Sequence, residues 1–332
     1  MMVDIEIYSD EIIEPYDFKN KRRRFLGIAC LFIPVNEREN LIRDLLNLRC
    51  IKNKSWRFDN NNCRMNNECN SNYHQTNNCE IHHINIRNSR AKFALRKISR
   101  RWIDYFCDRN MRNVPLKYNI IFIDLEKLHI KDFGKDKNLM NIYNKFFRTA
   151  INYGLKAFFN NERVNVKRVY HDNGSMKCHQ HFPLLNLNKL NEELNGNYQI
   201  ENCEIEFVES DHKYYIPHNL DMAKKAQIIQ MTDLILGLVT QNIYYLSDDS
   251  LRKENAMLIR GGVSSIIRNR FNRNKSYYGN QNISFFPEIS VETTVLSNLE
   301  GEHVNLGRLG KFHYNKEIEM PDLNQKSLSK WT

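Results

Sequence analysis

The sequence lacks any apolar run that approaches the length of about 20 residues needed to cross a bilayer. Its acidic start, residues 1–10, lacks the basic residues and the apolar centre of a signal peptide. Its eight cysteines are scattered rather than closely paired, so no disulfide framework is expected. We therefore expect a soluble protein of the cytoplasm, with free thiols and no membrane partner.

Three motifs of nucleotide-binding and hydrolytic enzymes are also missing. The sequence has no Walker phosphate loop, no glycine fingerprint of a dinucleotide-binding domain and no nucleophilic serine elbow. These absences leave dispersed side chains as the candidates for any chemistry.

The charge balance is basic, with 49 Lys and Arg residues against 39 Asp and Glu residues, a formal net charge of +10. Such a balance favours a polyanionic partner such as DNA or RNA, because each cation that neutralises a phosphate releases condensed counterions. The alternative is that Lys and Asn abound in a compositionally biased genome.

Hydrophobic periodicity predicts strands and helices in alternation. Residues 2–9 alternate apolar and polar side chains, and residues 25–34 form a continuous apolar run, so both predict strands. Further strands are predicted at 80–86, 118–123, 164–170 and 203–208, and helices at 37–48, 89–107, 139–159 and 221–241. We expect an α/β fold with a mixed sheet of five or more strands, flanked by helices, in which antiparallel strands precede parallel crossovers.

Composition divides the chain into one large domain and two additions. Residues 52–78 are rich in Asn and poor in apolar side chains, which predicts a surface insertion. Residues 246–332 contain short mixed apolar runs and are assigned to a C-terminal extension of unknown fold. The domain itself is expected to span residues 1–245.

Three aspartates lie at the ends of predicted strands. Asp10, Asp124 and Asp172 each follow the last apolar residue of a strand. If those strands are parallel neighbours, the carboxylates converge in the crevice at the carboxyl edge of the sheet, where ligands bind to open α/β sheets. Taken singly, each of these acids could instead be a turn former or a helix cap.

Asp233 lies in a helix that is apolar almost all round. Its polar companions Gln227, Gln230, Gly237 and Gln241 form one stripe at spacings of three and four. A charge in such a helix needs a paired or metal-bound environment. The sequence leaves open a metal site or a salt bridge to a buried Arg or Lys.

A zinc site is a competing interpretation. Cys63, Cys69, His74 and Cys79 are separated by five, four and four residues. The first spacing misses the separation of two to four residues that is usual for the first pair of zinc ligands.

One face of the predicted helix at 89–107 is basic. It carries Lys92, Arg96, Lys97, Arg100 and Arg101. This face would suit a phosphate backbone irrespective of base sequence, although a solvated face of an amphipathic helix has the same pattern.

Four sets of residues occur one after another along the chain. They are Tyr8-Ser9-Asp10-Glu11, then Glu80-Ile81-His82, then Asp172, and finally Ser210 followed by Gln230-Met231-Thr232-Asp233. This order resembles the bacterial and phage family catalogued as domain of unknown function 3800, which has a ribonuclease H-like fold. The resemblance spans residues 3–240 in sparse anchors, and Ile12 departs from the serine usual in that family.

The resemblance implies a ribonuclease H-like sheet and a nuclease-type site. Carboxylates of this kind can hold a pair of Mg²⁺ or Mn²⁺ ions for phosphoryl displacement. Asp124 would compete with Asp172 for a ligand position. His82 would protonate a leaving oxygen, orient Glu80, or serve only as a core or capping residue. The expected metal ligands are Asp10, Glu80, Asp172 and Asp233.

Three functional hypotheses follow from these residues. The first is a divalent-metal-dependent nuclease acting on DNA or RNA, and the bacterial and phage setting of the family implies a role in defence against mobile elements, with a further protein partner. The second is a nucleic-acid-binding or scaffold protein that keeps the fold without catalysis. The third is a nucleotide phosphohydrolase, which would need a closed pocket. A cation-accessible carboxylate cluster favours the first, and a Lys or Arg inside the cluster favours the second.

Overall fold

The fold is known from a computed structural model, which describes residues 2–18, 21–49, 79–87, 93–107, 116–128, 139–160, 162–173, 182–194, 196–244, 246–271 and 280–286. Within these residues the chain forms a mixed sheet of seven strands with helices on both faces. The expectation of an α/β fold with a mixed sheet is therefore confirmed. The predicted insertion at 52–78 lies outside the described residues.

All the predicted helices and all the predicted strands except that at 80–86 are present, and the structure adds two helices and two short strands. The strands are β1 (Met2–Phe18), β2 (Lys21–Pro34), β3 (Lys117–Asp124), β4 (Arg163–Asp172), β5 (Tyr198–Ile200), β6 (Ile205–Val208) and β7 (Gln281–Phe286). The helices are α1 (Val35–Leu48), α2 (Phe93–Cys107), α3 (Leu139–Phe158), α4 (Phe182–Glu193), α5 (Leu220–Tyr244) and α6 (Ser250–Phe271). Two short 3₁₀ turns, His83–Asn85 and His212–Tyr214, contact α5.

The strand order is β5-β4-β1-β2-β3-β7, and β6 also pairs with β4. β1, β2 and β3 form an antiparallel meander, β4 joins β1 in parallel, and β5 and β6 join β4 in parallel. β1, β3 and β4 therefore run in one direction, so their carboxyl ends point to the same edge of the sheet. The parallel pair β1 and β4 needs a crossover connection, and α3 lies in that connection.

The sheet separates two hydrophobic layers. α1, α2, α5 and α6 cover one face, and α3 and α4 cover the other. Successive side chains of a strand point to opposite faces, so Ile5 and Ile7 of β1 pack under α3 while Tyr8 packs on the α5 side. The α5 face carries the candidate site.

α5 is the central helix of its layer, and nearly all of its 25 residues are buried. Its first turn is capped by Asn219, whose Oδ1 accepts a hydrogen bond from the N–H of Met222 at 3.1 Å. The amphipathic pattern of a surface helix is absent because both the sheet and α6 cover α5.

α6 and β7 lie in the stretch 246–332 that the sequence assigns to an extension. α6 packs on α5 through Leu251 and Ile259, and β7 extends the sheet beside β3. The rest of this stretch, residues 272–279 and 287–332, lies outside the described residues. No helix in the described part of the chain is both long and apolar enough to span a membrane.

Candidate carboxylate site

β1 and β4 bring Asp10 and Asp172 side by side. Ser9 pairs with His171 in the parallel ladder, so the next residue of each strand is Asp10 and Asp172. Both aspartates lie on the α5 face, two residues beyond Tyr8 and Tyr170, whose rings stack there with centroids 4.8 Å apart. Asp10 lies within β1, which continues to Phe18 instead of ending at the acid.

A β-bulge decides on which face Asp172 lies. Ile5 pairs with Val166, but the next residue of β1, Glu6, pairs with Arg168, so Lys167 is an extra residue in β4. Before the bulge, Val164 and Val166 face α3. After it, Val169 faces α3 and the even-numbered residues face α5. Without the extra residue, Asp172 would point away from Asp10.

Asp233 approaches the same place from α5. Its Oδ2 accepts a hydrogen bond of 2.6 Å from the backbone N–H of His83, and its side chain forms a further hydrogen bond with Asp10. The side chain is 17% exposed, although its neighbours on the helix are buried. Asp10, Asp172 and Asp233 are distant in sequence and share one buried region.

Glu80 reaches the cluster on an irregular segment. Its Oε1 accepts a hydrogen bond of 2.7 Å from the Ser210 hydroxyl, and its negative charge raises the pKa of Asp233. The strand predicted for residues 80–86 is wrong, because this segment contains a 3₁₀ turn and no paired strand. Its N–H groups at Ile81 and His83 donate to side chains of α5, so they have no need of a neighbouring strand.

Burial and mutual repulsion perturb the acids. Burial raises the pKa of Asp10 well above its usual range, and the charges of Asp233 and Asp172 raise it further. Burial raises the pKa of Asp172 to about 6, with repulsion from Glu11 and Asp233 adding to the effect, while His171 opposes it. Burial also raises the pKa of Asp233, although the adjacent His82 partly offsets the increase. The cluster therefore tends to retain protons.

No Lys or Arg among the described residues forms an ion pair with Asp10, Glu80, Asp172 or Asp233. In that part of the chain the cluster is contacted by His82, whose Nδ1 lies 3.8 Å from Asp233 Oδ2 and forms an ion pair with it only when the ring is protonated. The sequence left open a salt bridge from Asp233 to a buried Arg or Lys, and the described residues contain none.

The cluster has the donors that Mg²⁺ or Mn²⁺ prefers. Over the described ranges, no group of three or more His, Cys, Asp or Glu side chains is arranged to hold a metal ion. Even so, Asp172 Oδ1 is buried with no hydrogen-bond partner, and carboxylate oxygens are the ligands that hard divalent cations take. A cation would satisfy this oxygen and relieve the repulsion among the acids, so the donor set fits a divalent metal.

His82 lies at the edge of the cluster and also caps a turn. Its Nδ1 accepts a hydrogen bond of 3.2 Å from the N–H of Ile84, at the start of the 3₁₀ turn. In the neutral ring this places the proton on Nε2. About a third of the side chain is exposed, so the ring is accessible to a bound substrate.

Asp124 is placed apart from the other acids. Asp124 pairs with Phe25 of β2, whereas Asp10 pairs with Ala29 of the same strand. Because Phe25 and Ala29 are four residues apart, the two acids are offset by about 13 Å along the strands. The Asp124 carboxylate accepts a hydrogen bond from the N–H of Glu126 and lies 4.0 Å from Lys127 Nζ. These contacts match the turn-forming alternative.

The basic helix face is partly engaged within the protein. Arg100 forms ion pairs with Asp104 and Glu254, and Arg101 donates to the carbonyl of Leu48. Lys97 is exposed, Arg96 is half-buried, and Lys92 lies outside the described residues. The possible zinc ligands Cys63, Cys69 and His74 also lie outside the described residues, whereas Cys79 is described and directly precedes Glu80.

Sequence reasoning missed a polar cluster on the opposite face of the sheet. Glu11 follows Asp10, and His171 precedes Asp172, so both side chains point to the opposite face, towards α3. Tyr143 of α3 contacts both of them. His171 Nε2 lies 3.2 Å from Glu11 Oε2. Burial raises the pKa of Glu11 to about 7, and its charge raises the pKa of both aspartates. The adjacent acids Asp10-Glu11 were the signal in the sequence.

No protein-family model, curated protein or solved structure matches the chain.

Proposed function

We propose that this chain is a divalent-metal-dependent nuclease with a ribonuclease H-like fold. The observation that carries the proposal is the meeting of Asp10, Asp172 and Asp233 from three separate elements at a buried place, with no Lys or Arg partner among the described residues. Buried carboxylates that repel one another lower the stability of the fold, so a cluster of them indicates a function. Acids with perturbed pKa values are typical of active sites.

The sheet supports the fold part of the proposal. The antiparallel meander β1-β2-β3, with β4 added parallel to β1, is the arrangement expected of a ribonuclease H-like sheet. The resemblance to the family named above rests on the same anchors, of which Asp10, Glu80, Asp172 and Asp233 lie together.

The proposed ligands of Mg²⁺ or Mn²⁺ are Asp10, Glu80, Asp172 and Asp233. When bound, the cation would supply Lewis-acid stabilisation of the charge that develops on a phosphodiester. Ser210 orients the Glu80 carboxylate by donating to Oε1, and the His83 N–H fixes one oxygen of Asp233.

His82 has the geometry of a general acid. As a general acid the ring would carry a proton on both nitrogens, with Nδ1–H facing Asp233 Oδ2 at 3.8 Å in place of the Ile84 N–H, and Nε2 would give its proton to a leaving oxygen and leave a neutral ring. DNA or RNA is the proposed substrate because the chain is basic and the acids alone would repel a phosphodiester.

The test is a titration of Mg²⁺ and Mn²⁺ against single-stranded and duplex DNA, RNA and hybrids. Wild type is compared with Asp10→Asn, Asp233→Asn and Asp124→Asn, the last being a matched control at an acid outside the cluster. We expect metal-dependent cleavage that is lost in the first two variants and retained in the third. Binding without cleavage by every protein would instead support the scaffold function.

A further inference from the structure

Arg49 is a fully buried arginine directly after α1. Its side chain donates three hydrogen bonds: from Nε to Gln227 Oε1 at 2.7 Å, from Nη1 to the carbonyl of Cys79 at 2.8 Å, and from Nη2 to Gln230 Oε1 at 2.6 Å. The guanidinium also lies over the ring of Trp102, 5.0 Å from its centroid. Among the described residues these three bonds are directed at α5 and at the segment that begins at Cys79.

No carboxylate in the described part of the chain forms an ion pair with Arg49. A buried cation without such a partner costs several kcal/mol, and an apolar side chain of similar volume is often better for stability alone. Burial lowers the pKa of Arg49 to about 10, while the negative charge of Asp211 opposes the decrease. The guanidinium remains a cation at neutral pH, and its three hydrogen bonds and the ring of Trp102 stabilise that charge inside the protein.

The hydrogen bonds of Arg49 enclose Glu80. The residue before Glu80, Cys79, offers its carbonyl to Arg49, and the residue after it, Ile81, donates its N–H to Gln230 Oε1 at 2.9 Å. That same oxygen accepts from Arg49 Nη2. The backbone is therefore held on both sides of Glu80.

A second ring of hydrogen bonds fixes the Glu80 side chain. Gln230 Nε2 donates to the carbonyl of Ser210, and the Ser210 hydroxyl donates to Glu80 Oε1. Because Gln230 lies one helical turn before Asp233, the network fixes Glu80 relative to Asp233.

We propose that Arg49 is a positioning residue of the carboxylate site, which holds Glu80 in register with Asp233 for cation binding; this inference rests on the proposed function. Groups that orient the ligands of a metal typically change its affinity 10- to 100-fold when they are removed. Arg49 touches no acid of the site and acts through the backbone on either side of Glu80 and through Gln230.

The first test is independent of any metal. Hydrogen exchange of the Ile81 amide is measured in wild type, Arg49→Lys and Arg49→Met, with the Ile7 amide of β1 as the internal reference. We expect Ile81 to exchange at least tenfold faster relative to Ile7 in Arg49→Met, and to an intermediate degree in Arg49→Lys. An unchanged ratio would overturn the proposal.

The second test measures the affinity for Mn²⁺ by calorimetry, with thermal unfolding recorded for each variant. We expect Arg49→Lys to weaken Mn²⁺ binding about 10-fold and Arg49→Met up to about 100-fold. Arg148→Met, which removes a buried arginine of α3 on the opposite face, is the matched control and should leave the affinity unchanged. If Arg49→Met does not fold, Arg49→Lys decides.

A double-mutant cycle with Glu80→Gln tests whether Arg49 acts through Glu80. In the Glu80→Gln background, Arg49→Lys should change the Mn²⁺ affinity less than twofold, because the ligand that it positions is already lost. Independent, additive effects would show that Arg49 has only a general structural role. If wild type binds no Mn²⁺, the proposed function fails, and the exchange of Ile81 still decides whether Arg49 holds the segment.

Discussion

The backbone N–H of His83 donates a 2.6 Å hydrogen bond to Asp233 Oδ2, and the ring of the same histidine lies on Gly237, one helical turn further along α5. A Cβ added at Gly237 would lie 2.0 Å from Cγ of His83. The surface of α5 is thus shaped to receive the turn that begins at His83. One helix supplies an acid of the site and also docks the segment that carries Glu80 and His82.

Gly237→Ala should lower stability and disturb the site. The new methyl group would push His83 off the helix, and overpacking of this kind costs about 1 to 3 kcal/mol. Urea unfolding measures the loss, and the exchange rate of the His83 amide shows whether its bond to Asp233 is broken. Gly196→Ala is the control, since a Cβ there meets nothing within 4 Å. Equal effects of the two substitutions would contradict the packing seen at Gly237.

Asp172→Asn should stabilise the metal-free protein at neutral pH. The amide keeps the shape of the side chain but removes a buried charge that Glu11 and Asp233 repel, and a gain of about 1 to 2 kcal/mol is expected. Thermal unfolding in a chelator measures this gain. The same variant should lose any stabilisation by Mn²⁺. Destabilisation by Asp172→Asn without metal would mean that the carboxylate is a structural partner.

The difference in stability between Asp172→Asn and wild type should depend on pH. The pKa of Asp172 is about 6 in the folded protein against 3.8 ordinarily, so between these values the folded state holds more protons than the unfolded state. Wild-type stability contributed by this group is present below about pH 4 and is lost as the pH rises towards 6. The free energy of unfolding of Asp172→Asn relative to wild type should therefore rise from pH 4 to pH 6, as measured by unfolding in a chelator.

The stability of wild type must be compared with that of Asp172→Asn at each pH, because buried histidines change the stability with pH in the opposite direction. Burial lowers the pKa of His83 and of His212 to about 3. Each therefore contributes stability above its ordinary pKa that is lost as the pH falls. Their contribution cancels in the difference between the two proteins. A difference that does not change between pH 4 and 6 would contradict the raised pKa of Asp172.

Substitutions of His82 should separate an acid role from a capping role. His82→Asn retains an acceptor for the Ile84 N–H, because Asn is a favoured cap, but it cannot donate a proton at neutral pH. If His82 is the general acid, cleavage by His82→Asn should fall about 100- to 10 000-fold while Mn²⁺ affinity changes little. Full activity in His82→Asn together with loss in His82→Ala would assign it to capping alone.

Much of the architecture could be predicted because its signals are local. Alternating and continuous apolar runs predicted β1, β2, β3 and β4 to within a few residues, apart from the long extension of β1 beyond Asp10. The all-round apolar surface of α5 predicted that Asp233 would be an unusual charge, and it lies against Asp10. Periodicity reports which side of an element is buried, and that was sufficient for these elements.

The segment 80–86 shows why a local pattern can mislead. Its alternating letters predicted a strand, yet its N–H groups bond to Gln230 and Asp233, which lie 149 and 150 residues further along the chain. A pattern cannot name such distant partners. Asp124 is a similar case, since its place after a strand resembled that of Asp172 but the register sets it apart.

The sequence by itself determined the supply of carboxylates, the basic charge and the places of β1 to β4, of α1 to α3 and of α5. Tertiary structure decided which carboxylates meet. The extra residue Lys167 in β4 turns Asp172 towards Asp10, and the buried Arg49 fixes the segment on either side of Glu80. The physical reason is that hydrophobic periodicity is a property of each segment, whereas register and buried hydrogen bonds arise only when distant segments pack against one another.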